Sequence, residues 1–500
     1  MKINLRGNAA AAAVEQVVVG ATFLIFYGLL IRQHGADLVG VLSLVLVLSS
    51  IGVMANAGFG GAVARFAPIF EGRGDRASTV RCIETTVLCT AALYAILLLI
   101  VFYPFRAMIT WQAGETYAQL VADLMVPATL YVFALGVGTT TTLTLTALQR
   151  SDLRLWANTA GAILALAIVI WAAPRNGIQA GLWALAAQAS LVLIVTWLQL
   201  CRLLPELHLV PWRFSLSMAR ELLKIGANLQ VQSLLVAALE PISRLLVGHF
   251  GALVHVTYFA MASRFVIQVR ALIFAGAQPS LSAFGYLKET DAGTLGPLYA
   301  RVSMFTGFLA LVAMSATAGA APFVGEVWIG ERQDNFVAFV VILAAGWLAN
   351  TMVLGSYFFA YAIGRMTYNL TSHIVMLVLN LALGPALGFL FGPTGVVTAL
   401  AIALLASGLI MGIGNARLTP DRKGVGIRIH APLAISAVLA AGAAIAGYDW
   451  LRDLFPALVS GLGSGAIWLV VIAPAMLFHP ARKLMLSTFG IGRAGRTLPG

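Results

Sequence analysis

The amino-acid sequence predicts an all-α polytopic membrane protein of about 14 transmembrane helices, and three observations carry that prediction. The 500-residue chain is 60% hydrophobic and only 10% charged, with a mean hydropathy of +0.92, far from the composition of a soluble domain. Apolar stretches close to the roughly 20 residues that cross a hydrocarbon core of about 30 Å recur along its whole length. These runs are continuous rather than alternating, which excludes an outer-membrane β-barrel.

Taken in order, the spans are expected near 10–32, 38–62, 82–104, 118–147, 155–173, 178–200, 221–247, 252–276, 300–323, 336–363, 368–391, 394–414, 430–447 and 457–478. The first follows Lys2 and Arg6, as a signal peptide would. It is longer than an ordinary signal core and another span follows at once, so it reads as a retained first helix. The third carries Cys82 and Cys89 on one face, and Cys201 ends the sixth. None of the three falls in an outer joint, so free thiols are expected. Pro127, Pro241, Pro385 and Pro474 lie inside spans and supply bends. The joints are short, with no room for a soluble domain.

A net charge of +12 invites a nucleic-acid reading, but the distribution of the charge opposes it. With the N-terminus placed in the cytoplasm, Arg32, Arg106, Arg175, Arg332 and Arg452 fall outside, and Arg244, Arg264 and Arg270 fall within spans. The rest of the 31 basic residues gather on the cytoplasmic side. That is the positive-inside bias, and it predicts both termini in the cytoplasm with the basic surplus facing anionic headgroups.

The chain also repeats itself. Ala147-Leu148-Gln149-Arg150 and Ala362-Ile363-Gly364-Arg365 open equivalent joints. At the same offset Leu155 matches Leu370, Gly177 matches Gly392, Ala184-Leu185-Ala186 matches Ala399-Leu400-Ala401, and His34 matches His249. The offset covers six helices, an even number, so both copies enter the membrane in the same direction. The expected organisation is an N-lobe at 1–205 (helices 1–6), a C-lobe at 206–420 (helices 7–12), and a final helix pair with a cytoplasmic tail at 421–500. Two six-helix lobes are the geometry of alternating access.

No catalytic motif is present. The chain lacks His-Glu-x-x-His, Gly-x-Ser-x-Gly, Cys-x-x-Cys and a phosphate-binding loop, so neither an enzyme nor an ATP-driven pump is expected, and no cofactor or metal is implied. What remains is the set of charges inside spans, each costing several kcal/mol unless it faces protein or water. Arg264 lies about 18 Å into the eighth span at 1.5 Å per residue, too deep for easy snorkelling. Arg270 lies nearer the cytoplasm, where snorkelling is plausible, and His255 and Tyr258 share the helix. These four are the candidate substrate-binding residues. A guanidinium holds phosphate bidentately at any physiological pH, so Arg264 reads as an anion site or as one half of an ion pair with Glu15 or Glu240. Glu15, Glu240 and Arg244 are the candidates for gating or ion coupling. Glu15 is a candidate proton carrier or a paired acid. Glu240 and Arg244 stand at i, i+4, the spacing of a helix-surface salt bridge or of a gate contact. Glu84 and Asp123 lie close to span ends and read as interfacial.

Gly28, Arg32, Gly35-Ala36, Asn56-Ala57-Gly58-Phe59-Gly60 and Arg65 in the first lobe form one half of a looser pattern. Gly251, Tyr258-Phe259-Ala260, Gln278-Pro279-Ser280-Leu281-Ser282, Arg365, Asn380 and Gly392-Pro393-Thr394-Gly395 form the other. Together they resemble the polysaccharide flippase (Wzx-like) branch of the multidrug/oligosaccharidyl-lipid/polysaccharide exporter superfamily. The resemblance covers almost the whole chain. It implies a flippase of the bacterial inner membrane that moves a polyprenyl-diphosphate-linked oligosaccharide for O-antigen, capsule or exopolysaccharide synthesis. It also implies a cationic central cavity, membrane lipids as neighbours, and a polysaccharide polymerase and a chain-length regulator as partners, with no nucleic acid. The alternatives are a drug/cation antiporter of the same superfamily, a membrane polysaccharide polymerase or ligase, and a scaffolding relative that has lost transport.

Overall fold

A computed structural model describes residues 5–49, 74–148, 150–277, 292–418 and 430–480, with isolated helical positions within 63–70 and 280–287. Asn56-Ala57-Gly58-Phe59-Gly60, Arg65, Gln278-Pro279, Ser282 and the Asp421-Arg422-Lys423 joint lie outside the described residues, as do the end of the second span and the C-terminal tail.

The regular structure of the described residues is helical, with no strand among them. In chain order the helices are α1 (Leu5–His34), α2 (Ala36–Val45), α3 (Arg76–Ala113), α4 (Ala118–Ala147), α5 (Ser151–Asn176), α6 (Gln179–Leu203), α7 (Leu216–Phe250), α8 (Leu253–Ala277), α9 (Leu295–Gly319), α10 (Ala321–Ile329), α11 (Asp334–Met352), α12 (Leu354–Ile363), α13 (Thr367–Ala416), α14 (Ala431–Leu451) and α15 (Ala457–Phe478). Ten helical stretches among the described residues are long and apolar enough to cross a membrane. Every expected span corresponds to a helix or a described part of one. The ninth is split at Ala320 into α9 and α10, and the tenth at Val353 into α11 and α12.

Helix starts follow local chemistry. Asp75 accepts from Ser78 N–H at 3.0 Å to open α3, and Ser215 accepts from Met218 N–H at 3.4 Å to open α7. The repeat has a backbone counterpart. Gly177, between the fifth and sixth spans, has φ 73°, and Gly392, between the eleventh and twelfth, has φ 63°. Both matched positions turn the chain through the left-handed region that favours glycine. At Gly392 the turn is followed by Pro393, and it kinks the otherwise continuous α13 into two spans.

Packing divides the chain into two compact units, residues 1–260 and 261–500. In the first, α4 and α5 pack on α6, and α1 packs on α5. Between helices in lipid, hydrogen bonds and small residues do the work that water-driven burial does elsewhere. Accordingly Thr141 and Thr196 meet at 2.6 Å, and Thr90 meets Thr140 at 3.3 Å. Gly40 of α2 lets the backbone touch the start of α8, where a Cβ would collide with the Leu253 carbonyl. In the second unit α11 packs on α13, and α14 and α15 form a pair against α9. Tyr299 and Ser356 meet at 2.5 Å there, and Asn415 donates to Asn369 at 2.8 Å. The three cysteines are free thiols.

Candidate functional site

The second unit encloses a cation. Arg270, on α8, donates from Nη2 to Asn350 Oδ1 of α11 at 3.2 Å. Its guanidinium carbon stands 4.5 Å from the Trp347 ring centroid and 5.8 Å from that of Phe274. Its Nε is buried with no hydrogen-bond partner, and no carboxylate pairs with it among the described residues. Tyr357 and His373 lie within electrostatic reach, and His373 Nδ1 is likewise buried without a partner. An arginine inside a membrane span costs about 2.5–3.5 kcal/mol. Ring contacts worth about 2 kcal/mol each in a desolvated site, with one charge-assisted hydrogen bond of about 1.5–3 kcal/mol, are large enough to meet that cost. The buried Nε–H of Arg270 is left as a donor for an anion.

The other sequence candidates on α8 stand apart from this cluster. Arg264, midway along the helix, is exposed. It is six residues from Arg270, about 240° around the helix at 3.6 residues per turn, so the two project from different faces. His255 is at the helix start, where its Nδ1 accepts from Ala252 N–H at 3.0 Å. Tyr258 is buried in the first unit, at 5% exposure.

In the first unit the candidate acids are held by arginines. Glu15 accepts from Arg154 at 2.8 Å and from Asn158 Nδ2 at 2.7 Å. Arg154 is fixed in turn by Thr146 Oγ1 at 2.9 Å. Glu240 accepts from Arg244 at 2.5 Å, and Arg244 Nη1 donates to the Ser43 carbonyl at 3.0 Å. Ser43 lies in the last turn of α2, where carbonyls lack helical partners and the helix dipole is negative. The Glu240–Arg244 spacing reads as a surface pair, yet Arg244 is 9% exposed and serves as the cap of a neighbouring helix. Asn350, Trp347, Phe274, Asn158 and Arg154 are the neighbours that sequence reasoning did not bring to these charges. A lone Asn350 in an apolar span was the one visible signal.

A second ionic cluster, within the second unit, ties the end of α14 to α10 and the α10–α11 joint. Arg332 donates to Asp449 at 2.9 Å and also contacts Asp334, while Tyr448 donates to Glu326 at 2.9 Å. Burial works against the Arg332 charge, but the two carboxylates outweigh it and hold the guanidinium above its ordinary value.

No protein-family model matches the chain, and no curated protein matches it. Solved structures do. The lipid II flippase MurJ, in an inward closed conformation, superposes with a TM-score of 0.71 at 12% identity, over 96% of this chain and 99% of that one. A multidrug resistance MATE family transporter of the MOP superfamily, inward-facing, gives 0.66 at 13% identity over 81% and 98%. An outward-facing conformation of such a transporter gives 0.58 at 15% identity over 82% and 94%. At these identities the likeness is one of fold. The chain has the fold of these exporters, and the solved proteins that share it are transporters and a flippase.

Proposed function

We propose that the protein is a flippase that carries a polyprenyl-diphosphate-linked oligosaccharide across the bacterial inner membrane by alternating access. In this reading both termini lie in the cytoplasm, and helices 1–6 and 7–12 act as the two lobes. The observation that carries it is Arg270, an enclosed guanidinium with an unspent donor edge and no acid partner among the described residues. A diphosphate supplies the missing charge in bidentate form. The lipid II flippase that shares the fold over 96% of the chain supports a lipid cargo. The antiporter reading requires an acid left open to a cationic drug. Among the described residues Glu15 and Glu240 are each engaged by an arginine, and Glu84 by His208 and main-chain N–H groups.

The test is complementation of a deletion strain, scored by lipid-linked oligosaccharide accumulating on the cytoplasmic face. Arg270→Ala is expected to abolish export with normal insertion, and Arg270→Lys to retain part of it, since lysine keeps the charge and loses the fork. Arg264→Ala tests the second guanidinium in the same assay. Full export by Arg270→Ala refutes the anion site.

A further inference from the structure

The joint between α6 and α7 is fixed by a carboxylate that the transport reading leaves unused. Glu84 of α3 is fully buried, although the sequence places it near a span end. It accepts from the His208 ring Nδ1 at 3.0 Å and the His208 N–H at 3.2 Å. It also accepts from the Trp212 N–H at 3.3 Å and the Arg213 N–H at 2.8 Å. Beside it Thr85 Oγ1 accepts from Ser215 N–H at 3.2 Å, and Trp197 Nε1 donates to the Leu209 carbonyl at 2.7 Å. A loop with three main-chain N–H groups converging on one buried carboxylate is a platform, and its side chains are free to face outward.

What they present is apolar and basic together. Leu209, Val210, Trp212, Phe214 and Leu216 are all more than half exposed. Arg81, Trp212, Arg213, Phe214 and Ser215 line an open cleft of about 470 Å³, ample for a phosphate headgroup. Neither Arg81 nor Arg213 pairs with an acid among the described residues, and Glu206, the acid of the joint, is turned to Arg76 at 3.5 Å. The start of α7 at Ser215 adds its positive end to the same cleft. The joint follows one membrane-length helix and precedes another, so it lies at the level of the membrane surface.

We propose that this loop is a membrane-surface foot. Its aromatic and aliphatic side chains enter the headgroup boundary, and Arg81 and Arg213 clamp the phosphate of an anionic phospholipid of the phosphatidylglycerol class. Anionic lipid is favoured over zwitterionic lipid because two unpaired guanidinium groups repel an ammonium headgroup. The inference rests on the membrane location and the loop geometry, and it stands or falls independently of the flippase reading.

The test uses the full-length protein in nanodiscs, with Cys89 and Cys201 replaced by Ala and a bimane fluorophore attached at Leu209→Cys. Brominated phosphatidylglycerol or brominated phosphatidylcholine then serves as quencher. Quenching by both is expected, with a strong preference for the anionic lipid as its fraction is raised. One basic group at an anionic surface is worth about fivefold, so Arg81→Gln with Arg213→Gln should weaken that preference about twenty-five-fold. Absence of quenching places the loop in water and overturns the foot. Equal quenching by both lipids in the unsubstituted arginine background overturns the clamp, and so does loss of the preference in millimolar inorganic phosphate, which marks a free-phosphate site. A measurement that needs no variant is native mass spectrometry of the wild-type protein. Retention of phosphatidylglycerol over phosphatidylcholine is expected, and equal retention overturns the proposal.

Discussion

Replacing Arg154 by Ala tests how the first unit holds its buried acid. Glu15 and Arg154 side chains are only 12% and 20% exposed, so their pair belongs to the enclosed regime rather than the surface one. Removing one partner of such a pair costs about 3–5 kcal/mol, because the other charge stays behind unpaired. Glu15→Gln keeps an acceptor for Arg154 or Asn158 and loses only the charge assistance, about 1–2 kcal/mol. Replacing both residues by Met removes the stranded charge along with the bond and should return stability to within about 1 kcal/mol of the starting protein. Arg154→Met, Glu15→Met and the double Met variant form a double-mutant cycle, read with the other two variants as melting temperature of the purified full-length protein in detergent. The expected order is Arg154→Ala lowest, Glu15→Gln intermediate and the double variant near wild type. Additive losses, or an unchanged melting temperature for Arg154→Ala, would refute the pairing. Because the acid is occupied, Glu15→Gln is also expected to support export across a range of pH. A well-folded Glu15→Gln protein that fails to export makes Glu15 a proton carrier instead.

Glu84→Leu strands several main-chain donors of the 204–215 loop and should cost about 3 kcal/mol or more, checked by melting temperature and by faster proteolysis at the joint. Gly40→Val places side-chain atoms against the Leu253 carbonyl and should destabilise by about 1–3 kcal/mol, measured in the same melt. His479 is buried against Phe308 and His430, and burial followed by the neighbouring imidazole pushes its pKa below the ordinary histidine value. The unfolded chain then binds its proton first, so stability is full above about pH 6.5 and is lost as pH falls through the lower folded value. His479→Phe should flatten the fall in melting temperature between pH 7 and pH 5; an unchanged slope would show that His479 does not carry it.

The fold was legible because the membrane constrains it so heavily. Run length, prolines and glycines placed the helices, and the break expected between 391 and 394 is the Gly392 turn that kinks α13. The repeat was legible at Gly177 and Gly392, where the same backbone conformation is needed twice. The environment of each charge was not. Distance along a span gives depth, and depth ranked Arg264 above Arg270. Enclosure depends on azimuth and on neighbouring helices, and there the ranking reverses. Arg264 is exposed, while Arg270 lies under Trp347 with Asn350 at its edge. Glu84 lies near a span end as expected, but its complete burial under the α6–α7 joint was not legible.

Among the charges followed above, the two units hold theirs differently. In the first, Glu15 takes Arg154, Glu240 takes Arg244, and Glu84 takes the main chain of the α6–α7 joint. These acids hold structure, and none is left open to a cationic cargo. In the second, Arg332 takes Asp449 and Asp334 near the membrane surface, and Arg270 takes rings and an amide. A protein built to bind a cation in the membrane would show the opposite asymmetry, with an acid short of donors and its arginines spent. The proposed diphosphate cargo rests on that contrast at Arg270, and the Arg270→Ala complementation is its test.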